Sequence, residues 1–114
     1  MRLSFTAPIR LVSEANTREH WAKKAKRAKA QRAAALMAMR AAGSAKIEPP
    51  YVVVLTRIAP RVLDDDNLAR AFKAVRDGVA EALRVDDGDT RQIRWAYRQE
   101  RGEPKEHAVR VTVY

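Results

Sequence analysis

The chain has 114 residues, a formal charge of +9 and no cysteine. That length supports one domain with a modest core. The missing cysteines exclude a disulfide scaffold, a zinc–thiolate site, an iron–sulfur cluster and cysteine nucleophilic catalysis. The longest apolar run, Ala33 to Met39, is far short of a membrane span. Met1 to Ser13 has no secretory apolar segment, so a soluble cytoplasmic protein is expected.

Residues 1–50 carry 11 Lys+Arg against 3 Glu, and residues 51–114 carry 12 Lys+Arg against 11 Asp+Glu. The basic excess therefore lies in the first half and nearly all acids in the second. An uncompensated basic surface points to a polyanionic partner, nucleic acid before anionic membrane.

In chain order, Arg2 to Val12 alternates through Leu3, Phe5, Ile9 and Leu11, which predicts a strand ending near Pro8. Ser13, Asn16 and Thr17 read as loop and cap residues. Thr17 to Ala42 lacks Gly and Pro and is rich in Ala, Lys, Arg, Gln and Met, which predicts a helix. Its expected buried stripe is Trp21, Ala25, Ala28, Arg32, Leu36 and Met39, with the Arg32 stem snorkelling. Gly43 and Ser44 end it. Tyr51 to Ala59 predicts a central strand closed by Pro60. Asp66 or Asn67 caps a second predicted helix running to Leu83, with a buried stripe of Leu68, Phe72, Val75, Val79 and Leu83. Asp86, Asp87, Gly88 and Asp89 form an acidic turn. Gln92 to Gln99 and His107 to Tyr114 alternate as strands, joined by a predicted hairpin loop over 101–104. The fold class is α+β: a single domain over 1–114 in the order β-α-β-α-β-β, with a mixed or antiparallel sheet and two helices.

The acids cluster around the second helix. In extended chain Asp64 and Asp66 point to one side. Asp86, Asp87 and Asp89 lie beyond the helix's other end, and both clusters meet if the next strand returns beside the central one. Two carboxylates about 4 Å apart repel by roughly 1 kcal/mol in water and about 4 kcal/mol at an effective dielectric near 20. A cation relieves that repulsion, and an all-oxygen ligand set selects Mg²⁺ or Mn²⁺. The plainer reading is a helix cap at Asp64–Asp66 and an exposed turn at Asp86–Asp89. Arg70 and Lys73 lie about one and two turns beyond Asp66. They serve either in an i,i+4 ion pair with Asp66 or as cations for a phosphate and its transition-state charge.

At these residues the chain resembles the RusA family of Holliday junction resolvases. The matching features are Asp64-Asp65-Asp66-Asn67 at a helix start, a basic residue one turn on, the later pair Asp86-Asp87, and two hydrophobic strands after it. Pro8, Ser13 and Asn16 loosely resemble the family's approach to its first helix. The resemblance implies a Mg²⁺-dependent endonuclease that acts as a homodimer and cuts four-way DNA junctions by paired nicks. It implies essential carboxylates at Asp64, Asp66 and Asp87, with Asp86 the alternative to Asp87. The family's catalytic lysine falls on Arg70, a departure, because arginine keeps the charge but gives up no proton. Lys73, on the same helical face, is the alternative.

Lys23, Lys24, Lys26, Arg27, Lys29 and Arg32 load the first helix, with only Glu19 placed to compensate Lys23. Among them Lys23, Lys24, Arg27 and Arg32 are the expected contacts to DNA backbone phosphates. His20 reads as a helix-start residue packing near Trp21, and His107 as exposed. Trp95 and Tyr97 read as core, and Met37 and Met39 as filling core or dimer-interface space. The rival readings are a non-enzymatic DNA- or RNA-binding protein whose acids are only caps, and a ribonuclease using the same carboxylates.

Overall fold

Nine consecutive residues, Tyr51–Ala59, form the strand around which the rest is arranged. A computed structural model describes residues 1–13 and 20–114. In chain order its elements are β1 (Leu3–Ala7), α1 (Trp21–Ala41), a 3-10 turn at Ser44–Lys46, β2 (Tyr51–Ala59), α2 (Asp65–Ala71), α3 (Lys73–Leu83), β3 (Ile93–Arg101) and β4 (Ala108–Val113). The sheet order is β1-β4-β2-β3. β2 pairs antiparallel with β4 (Leu55 opposite Val111) and parallel with β3 (Leu55 opposite Tyr97). The fold is therefore a mixed-sheet α+β domain, with β2 in the interior as its apolar run requires.

The predicted hairpin does not form. β3 and β4 flank β2 on opposite sides, and the connection after β3 crosses the end of β2, where Gly102 N–H donates to the Ala59 carbonyl at 2.8 Å. The physical reason lies in the two strands' composition. Val109, Val111 and Val113 are fully buried, which suits a strand paired on both sides. β3 carries exposed Arg94, Arg98 and Glu100, charges that protect a free edge.

The second predicted helix is two. Asp64 caps α2 one residue before Asp65, and the helix turns at Phe72 (φ −85°, ψ −3°) before continuing as α3. The predicted stripe survives the break: Leu68, Phe72, Val75, Val79 and Leu83 are all buried and pack with Val53, Leu55 and Ile93 in one core.

α1 begins at Trp21, where His20 Nδ1 accepts from the Ala22 N–H at 3.2 Å and the His20 and Trp21 rings lie 5.4 Å apart. The predicted cap and loop residues Asn16 and Thr17, and the acid Glu19, lie outside the described residues. The helix ends before Gly43, which takes the left-handed φ of 97° that favours glycine. Its buried face is Gln31, Ala35 and Met39: Met39 is buried as expected, Gln31 and Ala35 take the places expected of Arg32 and Leu36, and Trp21 is 74% exposed. The cause is Gly78 on α3. A Cβ there would collide with the Arg32 carbonyl and sit 3.0 Å from the Ala35 Cβ, so the two helix backbones touch along Ala35. No residue of Trp21–Ala30 is buried. This first half of α1 is a basic arm about 15 Å long.

Candidate functional site

The arm and the α2–α3 pair diverge to leave a groove of about 490 Å³. Its α1 wall carries Lys24, Lys29 and Arg32, and its opposite wall carries Arg70 and Lys73. Small side chains, Ala25, Ala28, Ala71 and Ala74, form the floor, and Asp77 is the one acid in the lining among the described residues. Two sets of cations that are far apart in sequence thus face each other. Arg32 is partly compensated by Glu81 of α3, 3.2 Å away. Of the other expected DNA contacts, Lys23 is exposed and Arg27 half-buried on the same arm, but neither lines the groove.

The carboxylate turn stands at the start of α2, about one helical turn before Arg70 of the groove wall. Asp64 closes the start of α2: its Oδ1 accepts from Asn67 N–H and its Oδ2 from Asn67 Nδ2, both at 2.9 Å. Asp65 and Asp66 occupy the exposed first turn, where the helix dipole favours negative charge. The turn is fixed from below. Gln99 of β3 donates to the Leu63 carbonyl at 2.6 Å and accepts from Leu63 N–H at 3.0 Å. Arg57 of β2, 7% exposed, donates to the Arg61 carbonyl, and burial pulls its guanidinium below the usual arginine pKa.

Asp87 is placed elsewhere. Its carboxylate accepts from Arg76 Nε at 2.9 Å and lies 3.6 Å from Lys73 Nζ. Its carbonyl accepts from Arg76 Nη2 and Trp95 Nε1, both at 2.9 Å. Arg76 stacks 4.8 Å over the Trp95 ring and donates to the Tyr97 hydroxyl at 2.7 Å. The expected convergence of Asp64, Asp66 and Asp87 is thus not found within one chain. Among the described residues no group of three or more His, Asp or Glu is placed to hold a metal. β3 does return beside β2, but parallel to it, so the Asp86–Asp89 turn enters at the end of the sheet where β2 begins. Asp87 folds back only to the level of Trp95, while Leu63 is held at Gln99. Those levels are about 13 Å apart along β3. The alternative, Asp86, accepts from Gly88 N–H at 3.0 Å, the ordinary work of a turn residue. Asp89 is paired with Arg91 at 3.1 Å.

Lys73 lies 2.7 Å from Asp77, and the hydrogen bond to that carboxylate, against some burial, holds its ammonium above the usual lysine pKa. The Asp66–Arg70 ion pair, one of the two readings of Arg70, is absent among the described residues, and Arg70 lines the groove. Trp95 and Tyr97 are half-buried against the core, as expected, and Phe72 stacks on Tyr97 at 5.8 Å. His107 is half-buried rather than exposed, and Met37 is exposed while Met39 is core. Sequence reasoning passed over Arg76, Arg57 and Gln99. Gln99 had a signal, since period-two alternation puts it on the face of Ile93, Trp95 and Tyr97.

No family model matches the chain. An uncharacterized protein of Xylella fastidiosa (strain Temecula1 / ATCC 700964) is 37% identical over 81 residues, covering 63% of this chain and 51% of that relative. The chain thus spans about half the length of the curated relative it matches. No helix among the described residues is long and apolar enough to cross a membrane.

Proposed function

We propose that the chain is a Mg²⁺-dependent, structure-selective endonuclease of the RusA kind, which seats the backbone of branched DNA in the groove and cuts it at the Asp64–Asp66 turn. The observation that carries this reading is the meeting of Lys24 and Lys29 with Arg70 and Lys73, one to two helical turns from Asp66. Phosphate binding needs cations, and phosphodiester hydrolysis needs carboxylates that hold a hard ion beside them. The start of α2 carries both within a few residues.

The donor set fits such an ion. A carboxylate offers about four acceptor positions. Asp64 gives one from each oxygen to Asn67, and the exposed Asp66 carboxylate makes no hydrogen bond or ion pair among the described residues. Mg²⁺ characteristically takes one or two carboxylates, several waters and substrate phosphate, so Asp64 and Asp66 are a sufficient protein share. Mn²⁺ suits the same ligands. Bound there, the ion supplies Lewis acidity toward a phosphodiester oxygen and an activated water. Arg70 and Lys73 provide fixed positive charge for the phosphate. Asp87 orients Lys73 and Arg76 and is not a ligand. A two-fold homodimer would match the symmetry of a four-way junction.

One observation favours a second reading, a non-enzymatic binder: Asp87 is committed to Arg76 and Lys73. One assay separates the readings. Labelled four-way junction, linear duplex and RNA are each incubated with Mg²⁺ or EDTA. The proposal expects Mg²⁺-dependent cutting of the junction. Asp66→Asn should abolish cutting while keeping or tightening binding, because phosphate repulsion falls. Binding with no cleavage of any substrate would leave the non-enzymatic reading, and cleavage confined to RNA would make the site a ribonuclease.

A further inference from the structure

Trp21 sits at the tip of the α1 arm, three-quarters exposed. It shares a helical stripe with Ala25, Ala28 and Arg32, and those three line the groove. Trp21 is one turn beyond Ala25 on that stripe and so lies next to the groove's end on the α1 side. A large exposed indole in a strongly cationic setting calls for a partner that is both flat and anionic. Lys24, three residues on, shares its face of the helix, and Lys23 and Lys26 add positive charge to the same turns, a like charge that disfavours a second copy of the chain docking there. An unpaired nucleotide offers an aromatic face and a phosphate together.

We propose that Trp21 is a stacking platform for unpaired bases next to the end of the groove, and that it supplies the preference for branched over linear DNA. This rests on the groove being a nucleic-acid seat. A regular duplex presents phosphates to Lys24, Lys29, Arg70 and Lys73 but keeps its base faces stacked. A single strand, or the open centre of a junction, presents both. Base–aromatic stacking is tolerant of sequence, because every base has a π face.

The test measures binding of a labelled single strand and of the duplex of the same sequence to the wild type, Trp21→Ala, Trp21→Phe and Lys24→Ala/Lys29→Ala. Trp21→Ala should weaken single-strand binding about tenfold, leave duplex binding within about twofold, and leave the salt dependence unchanged. Trp21→Phe should retain most of the affinity. Single-strand binding should quench indole emission in the wild type more than in Trp21→Phe. Equal effects of Trp21→Ala on both substrates, or none on either, would overturn the assignment. So would a concentration-dependent self-association of the wild type that Trp21→Ala abolishes. If Lys24→Ala/Lys29→Ala leaves both affinities unchanged, the groove reading itself fails, whatever Trp21 does.

Discussion

Lys73 is the residue at which electrostatics and function meet most directly. It faces the groove, donates to Asp77 at 2.7 Å and lies 3.6 Å from Asp87. Its pKa is raised in the folded chain, first by the Asp77 hydrogen bond. The stabilisation from this pairing is therefore complete below the unfolded lysine value and is lost only as pH rises through the higher folded one. Across the neutral range Lys73 is a constant cation. Lys73→Met should lower DNA affinity about fivefold, the worth of one charge at 4 Å in water, by the same factor at pH 6.5 and pH 9. Lys73→Arg should retain affinity. Fluorescence anisotropy at the two pH values checks this, and a loss present at pH 6.5 but gone at pH 9 would show that Lys73 titrates in this range instead. Arg76 donates to Asp87 Oδ2, the same carboxylate oxygen that faces Lys73. Neither partner was legible as such, because an ion pair between α3 and the turn before β3 depends on how that turn folds back over Trp95.

Among the elements, α1 decides the shape of the groove, and α1 is seated by one glycine. At Gly78 a Cβ would meet the Arg32 carbonyl and the Ala35 Cβ. Gly78→Ala should cost about 1–3 kcal/mol through overpacking, lowering Tm by about 4–8 °C per kcal/mol. Gly88→Ala is the control, because its Cβ would meet nothing nearer than 3.7 Å. That change should stay within about 0.5 kcal/mol. Equal thermal shifts would contradict the close α1–α3 approach. This packing also explains what the sequence concealed. Alanines lie all around α1, so its apolar periodicity does not select a face, and only the partner glycine does. β2 and the Leu68–Leu83 stripe were legible because Val, Leu and Phe mark their buried faces without ambiguity. The turn at Phe72 was not, since its apolar spacing is the same in a continuous helix.

For the molecule as a whole, strand direction separates what was legible from what was not. The alternating patterns of β3 and β4 reveal strands but not their neighbours. Parallel pairing of β3 with β2 carries the Asp86–Asp89 turn away from Asp64 and Asp66, and no local signal encodes that. The same topology brings the basic half of the chain against Arg70 and Lys73, so the charge asymmetry becomes one surface. The site therefore reads as a cationic groove whose Arg70 wall lies about one helical turn from the two carboxylates at the start of α2. The most direct test of that groove is the salt dependence of DNA binding in Lys24→Ala/Lys29→Ala/Arg70→Ala. Each phosphate no longer neutralised should reduce the slope of log K against log[salt] by about 0.9, or by about 2.7 for all three in duplex DNA. A slope equal to that of the wild type would contradict the account, because the backbone would then be held on some other face.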